Sequence, residues 1–274
     1  MNCKSIILLI VVLLFWGNAE ARKKKGKKVE EVQTESAYRK FFKGKACETA
    51  KGMITLHKMD GRVYFEIPLA LMGREMLMGS TISEITNNGF GSVGEKPKGL
   101  LYISFVRCDS VISLKQLTAQ YDTNEENLKQ RIKESTIPAT IKNFKITTYN
   151  EDSTAVVIDM TDYLVSADEA IDPFSPWAPI LAGGERVMEK EFRRENSQVV
   201  SIKAFEDNVS VKSSLTYGLS LKNKVMYIFQ REPFTVVMTR SFILLPEHSM
   251  RPRLADPRIA IFSQGVSAFN GDSR

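Results

Sequence analysis

Cysteine, histidine and tryptophan are scarce in this 274-residue chain, at three, two and two. Neither His57 nor His248 begins an HExxH motif, the spacing that puts two zinc ligands and a general base on one helix face. No CxxC pair or Cys/His cluster occurs, so no structural zinc site is encoded in these residues. A nucleophile elbow for a Ser-His-Asp triad is absent as well. Long apolar runs are missing: Ile6 to Trp16 has eleven residues, too few to span a bilayer. Most of the chain also lacks a charge imbalance. The formal charge is +6, and Arg22 to Lys28 alone carries six positive charges. Residues 1–21 balance through Lys4 and Glu20, so 29–274 sum to zero. That excludes a basic nucleic-acid surface on the folded part.

What is present begins with an export signal. Lys4 precedes the short apolar run, and Ala19-Glu20-Ala21 supplies the small-x-small pattern of a cleavage site. Residues 1–21 therefore read as a signal peptide cut after Ala21, and the mature chain as periplasmic or extracellular with no remaining transmembrane segment. Residues 22–36 form a basic leader without apolar periodicity. Cleavage removes Cys3 and leaves Cys47 and Cys108, an even pair that an oxidising compartment can close, although two cysteines define no framework.

Composition beyond the leader is globular, with 43% hydrophobic and 26% charged residues overall. Tyr38 to Phe42 reads as a short helix ending near Gly44. Ile54 and Leu56 then alternate with polar neighbours, Asp60-Gly61 makes a two-residue hairpin turn, and Val63, Phe65 and Ile67 share one face up to Pro68. Leu69 to Met72 allows one helical turn, and Met76 to Ile85 a further strand. Residues 37–86 form a small β-meander, 87–98 a Gly-rich linker, and 99–274 a larger β-rich domain. The larger part starts with a hairpin, Leu100 to Val106 and Val111 to Leu114. A helix over Asn124 to Glu134 follows, begun by the capping box Thr123-x-x-Glu126. Strands are expected at 141–149, 154–160, 199–205, 209–217, 225–230 and 234–245. The class is mainly β (α+β), antiparallel, with one or two short helices.

Chemical motifs are few. Gly89 to Gly94 matches GxGxxG, but Pro97 and the nearby strand leave no room for a phosphate-binding helix, so it reads as a loop. Asp159 and Asp162 could hold a cation, but strand-end and turn-capping roles suit them better. Asp172 to Pro179 is a proline-rich loop expected to expose Phe174 and Trp177 for ligand contact. Arg251, Arg253, Asp256 and Arg258 surround Pro252 and Pro257, which suits an ion-paired clamp on an extended segment rather than the alternative, a site for an acidic group.

These residues resemble a known family. Gly52 to Ser83 (GMITLHKMDGRVYFEIPLALMGREMLMGSTIS) closely resembles the short N-terminal domain of large exported zinc-dependent metalloproteases of bacteria. The likeness rests on a Gly-x-x-x-x-His-Lys strand, YFEIP and a Leu-x-Gly-Arg-Glu-Met-Leu turn. Asp152 to Tyr163, Phe205 to Tyr217 and Val236 to Ser263 resemble the adjoining domain of unknown function. The resemblance implies a zinc peptidase domain following the MRPR segment, with HExxH and a later His, and none of those residues lies in this sequence. The chain is thus expected to be a non-catalytic N-terminal region, inactive alone, with no cofactor of its own. Zinc belongs to the missing catalytic domain, and the expected partner is a peptidase domain encoded downstream or separately. The alternative is a free-standing periplasmic peptide- or glycan-binding module using Phe174 and Trp177.

Overall fold

Asp60 and Gly61 both take positive φ, 51° and 72°, as a primed hairpin turn demands. In the computed structural model this turn joins β2 (Thr55–Met59) to β3 (Arg62–Pro68), with Met59 opposite Arg62. The structure describes residues 36–117, 121–122, 125–175, 186–223, 225–247 and 267–268. Val63, Phe65 and Ile67 point into the core with no exposure, while Tyr64 and Glu66 take the opposite face. Alternation fixed that register, because a one-residue slip would turn all three apolar side chains outward.

The remaining strands are β1 (Glu48–Ala50), β4 (Met76–Ile85), β5 (Leu101–Cys108), β6 (Val111–Gln116), β7 (Tyr121–Asp122), β8 (Ala139–Tyr149) and β9 (Ala155–Asp159). After them come β10 (Val187–Phe192), β11 (Gln198–Ala204), β12 (Asn208–Lys222), β13 (Tyr227–Leu244) and β14 (Ser267–Ala268). Helices are short: α1 (Ala37–Phe42), α2 (Glu126–Ser135) and α3 (Thr161–Leu164). The fold is therefore mainly β and antiparallel with few short helices, as the alternation implied.

Twelve strands join one antiparallel sheet in the order β1-β2-β3-β9-β8-β6-β5-β4-β13-β12-β10, with β11 also pairing β12. The sheet curls until β11 comes beside β2, so it is nearly closed. Gly52 makes that seam. A Cβ there would stand 2.3 Å from the Phe205 carbonyl oxygen, and the adjacent Met53 N–H donates to that same oxygen at 2.7 Å. Lys58 Nζ adds a bond to Val200 O at 2.6 Å.

The two segments expected as domains contribute strands to one sheet. The meander does not pack as a separate body on a larger one. β3 pairs with β9, and β4 lies between β5 and β13, so the two parts share ladders. The Gly-rich stretch 87–98 is accordingly the loop of the β4–β5 hairpin rather than a linker. It is tied down by Ile82 N to Glu95 O and Gly94 N to Ile82 O, at 2.9 and 2.8 Å. Phe90, on a 3-10 turn (Asn88–Phe90), packs edge-on against Phe229 and Phe234. No helix follows GxGxxG, as expected.

Strand 225–230 and strand 234–245 turn out to be one, β13, running through Pro233. Pro233 is tolerated because the β4 ladder starts only at Val236, leaving β13 an edge on that side. Helix α2 starts at Glu126 with Glu125 as its N-cap, whose own side chain makes no capping bond; Thr123, of the expected capping box, lies outside the described residues. Val156, Val157 and Ile158 are fully buried, because β9 has the main core on one face and α1 on the other.

Candidate functional site

The polar residues that converge most closely lie on the outer face of β1–β3. Leu56 turns into the main core, so its neighbour His57 must turn outward. Helix α1 covers that face: Tyr38, Phe41, Phe42 and Cys47 pack against Met59, Tyr64 and Val157. Ser36 caps the helix by accepting from Arg39 N at 3.2 Å, and Gly44 ends it at φ 72°. Arg39 also forms an ion pair with Glu151.

Under this lid His57 is 5% exposed, and both ring nitrogens are engaged. Nε2 lies 2.9 Å from Glu66 Oε2, and Nδ1 lies 3.0 Å from Thr49 Oγ1 and 3.9 Å from Cys47 Sγ. Ionised Glu66 can only accept, so Nε2 carries a hydrogen, and in the neutral ring Nδ1 accepts from the Thr49 hydroxyl. Tyr38 donates its hydroxyl to the same Glu66 oxygen at 2.7 Å. The His57 bond, aided by Tyr38, holds the Glu66 carboxyl below its ordinary value despite burial. Burial, and then donation to Glu66, push the Tyr38 hydroxyl upward.

Cys47, His57 and Glu66 follow the order of nucleophile, base and orienting carboxylate. The distances favour another role. Thr49 holds Nδ1 closer than Cys47 does, and the Phe42 ring sits 4.7 Å from the imidazole, centroid to centroid. The cluster fastens α1 to the sheet. Sequence reasoning missed this set, because α1 and β1–β3 meet only in the folded chain.

Other expected residues fall in different places. Phe174 is not exposed: it is 3% accessible, stacked near Tyr217 and Phe234 with ring centroids at 5.1 and 5.6 Å. Asp172, fully buried, turns the chain inward by accepting from Phe174 N at 2.7 Å and pairs with Lys190. Trp177 lies outside the described residues, as do Ala19, Ala21, Arg251, Arg253, Asp256 and Arg258. Cys47 and Cys108 are both free thiols rather than a disulfide; Cys47 precedes β1, and Cys108 ends β5 at the β5–β6 turn. Asp159 accepts from Thr161 N at 2.9 Å and from Arg62, and Asp162 takes bonds from Arg62 and Arg194. The two carboxylates are thus spent on a turn and on guanidiniums. Among the described residues no group of three or more His, Cys, Asp or Glu side chains stands close enough to hold a metal ion. No described helix is long and apolar enough to cross a membrane.

The motif residues each have a task in this arrangement. Gly52 permits the seam, His57 fastens α1, and Lys58 bonds across to β11. Gly73 takes φ 78°, and Arg74 reaches Leu245 O and Glu247 at 3.2 and 2.7 Å, joining the early turn to the chain just beyond β13. Residues 95–274 match a domain of unknown function, DUF5117, and residues 35–85 match a second, DUF5118. The chain belongs to the DUF5117 family. Its DUF5118 segment supplies β1–β4, and the DUF5117 segment the other eight strands of the shared sheet, β5, β6 and β8–β13. No curated protein and no solved structure matches the chain.

Proposed function

We propose that this chain is the non-catalytic N-terminal region of an exported zinc-dependent metallopeptidase, inactive alone, which supports or positions the peptidase domain. One observation carries the reading. The segment that resembles the protease family's N-terminal domain spends its distinctive residues on holding the sheet together. Gly52 and Lys58 close the seam, His57 and Glu66 pin α1, and Arg74 ties the β3–β4 turn to Glu247. A scaffold uses polar residues in this way, whereas a catalytic site leaves them facing a substrate. Arg74's hold on Leu245 and Glu247 anchors the chain where it leaves β13. Arg251, Arg253, Asp256 and Arg258 follow closely in sequence, which suits their role as an ion-paired clamp toward a following domain.

The test is the coding sequence past residue 274, together with the proteins that purify with this chain. An in-frame HExxH region, or a separately encoded zinc peptidase that co-purifies with the chain, supports the proposal. A stop codon with no such partner overturns it. So does zinc-dependent proteolysis with stoichiometric zinc by the purified 274-residue chain. The peptide- or glycan-binding alternative relied on an exposed Phe174 and loses that residue to the core.

A further inference from the structure

Along β13 the inward positions read Phe234, Val236, Met238, Arg240 and Phe242, four apolar side chains and one guanidinium. Arg240 has no exposure at all, and Val211 of β12 and Ser80 of β4 stand opposite it. Its Nη2 reaches Ile171 O at 3.3 Å, on the segment between α3 and Phe174 that fills the sheet's interior. Among the described residues, neither Nε nor Nη1 has a partner. Two more fully buried groups on the inner face of β12 lack one there as well, the Ser213 and Tyr217 hydroxyls. Ser213, opposite Met238, lies between Val211 and Tyr217 on that face, and Arg240 and Tyr217 are within electrostatic reach of each other.

Unpartnered buried polar groups are rare, and a buried charge without a counter-charge is costlier still. All of these groups can donate: the guanidinium only donates, and each hydroxyl can turn its hydrogen toward a common point. Among the described residues, Asp168 is the one carboxylate whose charge acts on Arg240. Its Oδ1 is already engaged, capping a turn by accepting from Ala170 N at 3.0 Å. Desolvation drags the guanidinium down to about 10, the mark of a cation short of negative charge around it. Removing the charge altogether is not open to an arginine at neutral pH, so the shortfall left by Asp168 calls for a further negative charge beside it.

We infer that Arg240, with the Ser213 and Tyr217 hydroxyls, forms an interior binding site for a small monovalent anion, chloride being the simplest. A buried arginine beside hydroxyl donors is a charge-assisted anion receptor in a medium of low dielectric. Full burial of all three side chains excludes a peptide terminus or a phosphate ester entering from solvent. The anion would enter as the sheet closes and stabilise the native state by mass action.

The experiment follows thermal unfolding of the 274-residue chain as chloride replaces gluconate, which is too bulky for a closed site, at constant ionic strength and pH 7. The melting temperature should rise and saturate, gaining about 3–6 °C once chloride stands tenfold above its dissociation constant. R240M, which keeps bulk and removes charge and donors, should abolish the rise. Tyr217→Phe and Ser213→Ala remove one donor each and should move its midpoint to higher chloride; they keep the test decisive if R240M does not fold. A flat wild-type response, as expected if water alone fills the site, overturns the inference. An unchanged response in all the variants that fold does so as well.

Discussion

Single residues decide whether this sheet can close. Gly52 passes over the backbone of Ala204 and Phe205, and the atoms that a Cβ would meet are main chain, which cannot swing aside. Gly52→Ala should therefore cost about 1–3 kcal/mol, the range for forced overpacking, read as a lower urea midpoint. An unchanged midpoint would mean that the seam is soft. Glu66 gives a pH-dependent counterpart. Its folded carboxyl sits below the ordinary 4.5, chiefly through the His57 hydrogen bond. The unfolded chain thus binds the proton more readily. The resulting stability is fully present above 4.5 and is lost as pH falls through the lower folded value. Unfolding free energy measured from pH 7 down to pH 3 should fall less steeply in Glu66→Gln than in the wild type. Identical acid limbs would contradict the assignment.

At the scale of elements, the segment from α3 to Phe174 matters most. It leaves β9 and buries Tyr163, Leu164, Val165, Ile171 and Phe174 in the main core, where Asp172 pairs with Lys190 of β10. A proline-rich composition suggested an exposed loop, but Asp172 and the Phe174 amide turn the chain inward. Phe174→Ala should cost about 3–5 kcal/mol, as for a large buried aromatic, seen in denaturant unfolding. A loss under 1 kcal/mol would place the ring at the surface. β13 shows the same limit of local reading. The expected strands 225–230 and 234–245 left a gap at Pro233, but whether proline breaks a strand depends on which of its flanks is paired.

For the whole molecule, the two family segments are parts of one sheet. Residues 35–86 carry β1–β4, but β3 needs β9, and β4 needs β5 and β13, to satisfy backbone groups. Expressed alone, that fragment should show no dispersed amide NMR spectrum and no cooperative unfolding. Added to a chain beginning at residue 87, it should restore both. A fragment that folds by itself would revive the two-domain arrangement expected from the sequence.

What the sequence determined by itself was local: the Asp60-Gly61 turn, the two-residue alternation of β2, β3 and β4, and the short helix before Gly44. Those features depend on φ preferences and on which side of one strand is apolar, and both are written in neighbouring residues. The closing of the sheet, the lid over His57 and the burial of Phe174 were decided only in three dimensions. Each joins segments far apart in the chain, as when Gly52 meets Phe205 or Tyr38 meets Glu66. Arg240 lies between the two cases. Its phase in β13 put it on the inner face, yet only the neighbouring strands and the segment from α3 to Phe174 removed it from water. A strand's pattern states which way a side chain points, and the tertiary structure alone states what it meets there.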